Sequence, residues 1–174
     1  MIASDAGRAA GLLFVTAILQ VSVFNSISIF GGRPDVLLVT LIALSLLRGS
    51  IFGAVGGFFV GLLIDTATLE TMGVNALLFT LAGYWTGRYG ETTGRGRHAP
   101  LLAVGVVTVL YSLAALLLRF MIGESDSARV VLLDALPPSL LFNLLLAVPL
   151  FSFSRWVLEV GRETEPVREV RLLE

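Results

Sequence analysis

Few residues in this 174-residue chain have side chains that could do chemistry. Two carboxylates, Asp35 and Asp65, bracket a pair of apolar runs, Val36–Leu47 and Ile51–Ile64. Acids beside or within apolar helices are the residue type of proton relays and cation sites. Here both fall at expected helix ends, where most of the burial cost is removed. At Asp35 the dipole of the following helix also favours a negative charge. An interfacial role is therefore the reading for both. The one His, His98, stands in a basic loop and suits solvation rather than catalysis. There is no Cys, which excludes disulfides, thiolate metal sites and Cys nucleophiles. No Ser sits in a Gly-x-Ser-x-Gly elbow. Gly94-Arg95-Gly96-Arg97 lacks the strand, spacing and Lys of a phosphate loop. No catalytic, metal or cofactor site is expected.

The remaining pattern is physical rather than reactive. Arg33-Pro34-Asp35 opens the first apolar run, and Arg48-Gly49-Ser50 separates it from the second. The second run carries Gly53, Gly57 and Gly61, four residues apart and so on one helix face. Lipid provides no hydrophobic drive to pair helices, so a smooth glycine face matters because it lets another backbone come close. The neighbour is either a helix of this chain or a helix of a partner. On the second reading these three glycines are the candidate partner interface.

The elements that must carry these residues follow from composition. The chain is 56% hydrophobic and only 14% charged, against roughly 25% charged in soluble domains. Mean hydropathy is +0.89. An all-α integral membrane protein with about six transmembrane helices is expected, as a single membrane domain over residues 1–158 and a charged cytoplasmic tail over residues 159–174. The net charge of −1 names no partner and gives no sign of nucleic-acid binding. The segments are Ala9–Phe30, the two short runs, Val74–Tyr89, Pro100–Ile122 and Pro137–Leu158. Gln20 in the first should hydrogen-bond another helix, with Ser22, Asn25 and Ser26 after it. The short runs either extend into their flanks or form a thin or re-entrant hairpin. Arg48 at the break favours full crossings, because a mid-membrane Arg costs at least ~2.5 kcal/mol. Tyr84, Trp85 and Tyr89 mark a membrane interface. Arg119 should snorkel outward. Val130–Leu136, with Asp134, is expected at the interface, and Asn143 and Pro149 should shape the last helix.

Six crossings put both termini on one side. That side collects Arg8, Arg48, Arg88, Arg95, Arg97, Arg155, Arg162, Arg168 and Arg171, whereas the other has only Arg33, Arg119 and Arg129. The positive-inside rule places the Arg-rich side in the cytoplasm. Asp35, Asp65, Glu70, Glu124, Asp126 and Asp134 make the outer side acidic.

The order of several short motifs resembles the rod shape-determining protein MreD family over nearly the whole chain. The motifs are Arg33-Pro34-Asp35, Leu47-Arg48-Gly49, the glycines Gly53, Gly56, Gly57 and Gly61, and Gly61-Leu62-Leu63-Ile64-Asp65. Gly73, Gly83, Pro138, Asn143 and Pro149 complete the set. The resemblance implies a non-enzymatic subunit of the bacterial elongation machinery in the inner membrane. It implies work with an MreC-like protein, a RodA-like glycosyltransferase, a penicillin-binding transpeptidase and, indirectly, the MreB cytoskeleton. It also implies a fold similar to the substrate-binding subunits of energy-coupling-factor transporters, and hence a rival reading as a vitamin-type transporter subunit. Those subunits show small residues four apart on the first helix. Here Ala9 and Ala10 are followed by Leu13 and Phe14, which weakens the rival.

The topology can be checked with single Cys residues placed by Thr93→Cys and Thr68→Cys. They should react with an impermeant thiol reagent from opposite faces of the membrane. Labelling from the same face would remove the six-crossing arrangement.

Overall fold

The computed structural model describes residues 2–23, 32–69, 71–93, 98–123 and 129–159, with side chains from residue 6 onward. Asn25, Ser26, Glu70, Arg95, Arg97, Glu124, Asp126 and the tail at 160–174 lie outside the described residues. Six α-helices follow one another: α1 (Ile2–Ser22), α2 (Val36–Arg48), α3 (Ser50–Thr68), α4 (Val74–Thr93), α5 (Ala99–Ile122) and α6 (Leu136–Glu159). Among the described residues three stretches are long and apolar enough to cross a membrane, namely α3, α5 and the continuous helical run Val130–Glu159. Ala6–Ser22 and α2 are shorter apolar helices. α4 is in neither group, because its sequence carries Asn75, Arg88, Glu91 and three glycines.

The shortest helix is the centre of the bundle. α2 touches each of the other five, and every residue from Val36 to Leu46 is buried. At ~1.5 Å per residue it spans roughly 20 Å, less than the ~30 Å hydrocarbon thickness. It does not have to match that thickness, because protein surrounds it. Its apolar residues go all the way round, the pattern of a helix buried on every side. Gly49 both ends α2 and starts α3. Its φ is +96°, and its N–H returns to the Ser45 carbonyl at 2.8 Å. A side chain there would meet both the left-handed backbone and the Glu91 carboxylate.

The two short runs therefore fold differently. α2 stops where its apolar residues stop, whereas α3 lengthens into its flank to reach Thr68. The stretch Val130–Leu136, expected at the interface, is helical and runs straight into α6. Its first turn is wide: the Leu136 N–H bonds the Val131 carbonyl five residues back. Pro137 and Pro138 follow and have no N–H to offer, so the tighter α pattern cannot extend back from them. Pro149 lies inside α6.

α3 and α4 form the most extensive helix pair. A Cβ on Gly53 would strike the Gly83 carbonyl, one on Gly57 the Phe79 carbonyl, and one on Gly61 the Ala76 backbone. Seen from α4, Gly83 meets the Gly53 carbonyl and Gly87 meets the backbone of Gly49 and Ser50. The two backbones touch directly over about three turns. The glycine row is thus closed by α4 of the same chain. The reading of Gly53, Gly57 and Gly61 as a surface awaiting a partner helix is corrected, because their face has no free space.

Gly57→Ala should therefore lower thermal stability by about 1–3 kcal/mol, and Gly57→Leu by more, because the obstacle is backbone and cannot rotate away. Gly11→Ala, at a position with open space around it, should be neutral or slightly stabilising. Melting in one detergent across these variants is the check. Equal melting of Gly57→Ala and wild type would contradict the close approach.

Candidate functional site

The polar residues flagged by sequence assemble into two devices, both built on helix N-termini. An α-helix leaves its first N–H groups without partners, and in an apolar surrounding each must find an acceptor. The first device holds the start of α2. Asp35 caps its own helix, accepting from the Leu38 N–H at 2.8 Å. Asn143 of α6 accepts the Asp35 N–H at 2.9 Å. Gln20 of α1 accepts the Val36 N–H at 3.0 Å and donates to the Pro34 carbonyl at 3.2 Å. Asn143 also donates to Thr108 of α5 at 3.2 Å, and Ser139 accepts the Arg33 N–H at 3.0 Å. Pro34 fits because this position needs no N–H. Two outer helices, α1 and α6, thus grip one short stretch of backbone, with α5 joined to it through Thr108, and Asn143 is only 1% exposed in doing so.

The second device is reciprocal and closes the α3–α4 hairpin at both ends. Asp65, in the last turns of α3, accepts N–H groups from Gly73 at 2.8 Å, Asn75 at 3.1 Å and Ala76 at 3.3 Å. Those are the first donors of α4. At the other end Glu91, in the last turn of α4, accepts the Ser50 N–H at 2.7 Å and the Ser50 hydroxyl at 3.0 Å. Each helix thus supplies the carboxylate that caps the other. Asp65 is 1% exposed: it lies within the last turns of α3 rather than at its very end, held against the start of α4. Glu91 lies two residues beyond the apolar run that ends at Tyr89. The Ser50 backbone N–H, then its hydroxyl and then Arg88, hold the Glu91 carboxyl below its ordinary range.

The two acids flagged by sequence are therefore not a pair. Asp35 and Asp65 each serve a different helix start, which leaves a shared proton or cation no common seat. Among the described residues no group of His, Cys, Asp and Glu could hold a metal ion. A cleft of about 190 Å³ opens beside the first device, with Gln20, Arg33, Asp35, Asn75, Tyr111 and Arg119 on its walls. Arg119 therefore lines a cleft between helices rather than only reaching outward. Tyr111 donates to the Asn75 side chain at 3.0 Å and stacks on Phe79 with centroids 5.3 Å apart. His98 is exposed ahead of α5 and makes no cap. Arg48 ends α2, half-buried beside the Gly49 hinge.

Comparison with known proteins decides what this framework belongs to. The profile of the rod shape-determining protein MreD family matches residues 9–159. The chain belongs to the MreD family. The cell shape-determining protein MreD of Streptococcus pneumoniae is 30% identical over 103 residues, covering 58% of this chain and 63% of that protein. This chain thus spans under two thirds of the relative's length. No solved structure matches the chain. The residues that carried the MreD resemblance now have physical roles. Pro34, Asp35 and Asn143 build the first device. Gly49, Asp65 and Gly73 build the second, and Gly83 lies against Gly53.

Sequence reading missed Glu91, Ser50, Thr108 and Ser139. Glu91 had a signal, as an acid in an otherwise basic connection. Thr108 stood out only as a polar residue in a long apolar segment.

Asp65→Ala should cost on the order of 2–5 kcal/mol, since it strands buried N–H groups of α4, and Asp65→Asn should recover part of the loss. Glu91 has a pH signature. Its folded-state pKa is depressed, so its contribution is complete above the ordinary carboxylate range. That contribution disappears as pH falls through the depressed value. The melting temperature of wild type should fall on acidification below about 4.5, with a smaller fall in Glu91→Gln. Parallel pH profiles for the two proteins would contradict the cap.

Proposed function

We propose that this protein is a non-enzymatic subunit of the bacterial cell-elongation machinery, inserted in the cytoplasmic membrane with both termini inside. The observation that carries this reading is the family match across residues 9–159. The outward faces support the membrane placement: Phe58 and Phe59 on α3, Leu110 and Leu117 on α5, and Leu145 and Val148 on α6 are exposed. Such a surface is costly in water and suited to lipid. Trp85 and Trp156, exposed at 65% and 58%, follow the enrichment of Trp at membrane interfaces. Arg88 and Arg155 lie near them in sequence, each paired with a nearby Glu.

In this reading the protein is a scaffold. It binds an MreC-like protein and supports a RodA-like glycosyltransferase and its penicillin-binding transpeptidase partner, with MreB linked indirectly. Because α4 fills the glycine row, the partner helix meets an outer face of the bundle instead. Both polar devices are occupied with holding the chain's own helices, which fits a scaffold better than a reaction centre.

Affinity purification of the full chain from membranes of its host tests this. An MreC-like protein should be recovered at about one copy per chain, and native mass spectrometry should find no small water-soluble ligand. A stoichiometric vitamin-like ligand without any MreC-like protein would overturn the reading in favour of the transporter alternative.

A further inference from the structure

Two helices of the bundle leave a gap between them. A groove of about 450 Å³ runs between α1 and α6, floored by Val36 and Thr40 of α2. Val15 and Leu19 form one wall, and Leu150 and Phe153 the other. The hydroxyls that reach this region are already used within their own helices: Thr16 donates to the Leu12 carbonyl at 2.6 Å and Thr40 to the Val36 carbonyl at 2.8 Å. The lining thus offers water almost nothing to bind, and an apolar space of this kind does not hold water. One lining residue is charged: Arg8, exposed at the N-terminal end of the groove.

Size and charge together select an occupant. From Arg8 to Leu19 the groove follows α1 for roughly 16 Å at ~1.5 Å per residue. That is about half of a ~30 Å hydrocarbon core, the depth of one leaflet. A helix ~10–12 Å across would need on the order of 1,000 Å³ over that length, so it could rest on the rim but not enter. A single acyl chain can enter. The guanidinium at the mouth stands where the phosphate of that lipid would lie, and Arg is suited to phosphate because its fork donates two parallel hydrogen bonds.

We propose that this groove is a site for one anionic glycerophospholipid, with an acyl chain between α1 and α6 and its phosphate on Arg8. The lipid completes the packing that the protein leaves open and ties α1 to α6. The site rests on the membrane placement proposed above but not on any protein partner.

The test uses the full chain, purified alone in mild detergent and exchanged with dioleoylphosphatidylglycerol or dioleoylphosphatidylcholine. Native mass spectrometry then counts the lipid that survives delipidation. Wild type should retain one phosphatidylglycerol in preference to phosphatidylcholine. Arg8→Gln should reduce that preference about fivefold, the worth of one Arg near anionic lipid. Val15→Trp places an indole in the groove from an exposed position and should abolish retention of either lipid. Leu117→Trp, on α5 away from the groove and 59% exposed, should leave retention unchanged. Equal retention in Val15→Trp and Leu117→Trp would overturn the site, as would a lipid preference indifferent to Arg8→Gln. A photoreactive residue at position 15 that captures a protein rather than a lipid in native membranes would also overturn it. Failure to recover an MreC-like partner leaves each of these readouts intact, and recovery in the soluble fraction would point instead to the membrane placement.

Discussion

The backbone of α3 lies directly against the backbone of α4, and the rest of the fold depends on that contact. Gly53, Gly57 and Gly61 face Gly83, Phe79 and Ala76 with no space for a Cβ. Contact this close multiplies dispersion interactions, which are individually small and add over the whole seam. It also fixes the register. Only one alignment of the two helices brings Asp65 to the first N–H groups of α4 and Glu91 to the first of α3. Glycine packing and carboxylate capping therefore enforce each other, because sliding either helix by one turn would break both.

The hairpin then forms one side of the cradle for α2. A helix buried on every side has no polar face, so its N-terminal N–H groups must be satisfied by other helices. Gln20, Asn143 and Asp35 do this from α1, α6 and the α2 start itself. Thr108 draws α5 into the same set. Each bond is short-range and directional. Together they determine which helices surround α2 at that end, something that apolar packing alone specifies loosely. The polar residues of these two devices are thus engaged in architecture.

That use of polar groups bears on function. A transport or catalytic site keeps polar groups turned toward an incoming ligand. Here Asp65 and Glu91 each face a helix start, and Asn143 is divided between two neighbours. The hydrogen-bonded interior and the apolar exterior are what the scaffold role proposed above rests on. The groove between α1 and α6 is a place on that surface where apolar depth and a cation coincide.

Composition and periodicity alone determined the all-α class, the six helices among the described residues and the approximate spans of α2 to α6, whereas α1 begins at Ile2 rather than at the expected Ala9. These depend on local chemistry, since apolar runs, prolines and glycines act within a few residues of themselves. The glycine row was legible for the same reason, as three residues at a spacing of four. What covered it was not legible, because a smooth face looks the same whether its own chain or another fills it. Tertiary structure decided that, by folding Gly83 and Gly87 back onto the row. It also decided the role of Asp65, which looked like a helix-end acid until the start of α4 was packed against it. The partnerships of Gln20 with Val36, Asn143 with Asp35 and Glu91 with Ser50 join residues 16, 108 and 41 positions apart. No local pattern encodes such pairs. They arise only once the helices have packed and brought these donors within reach of these acceptors.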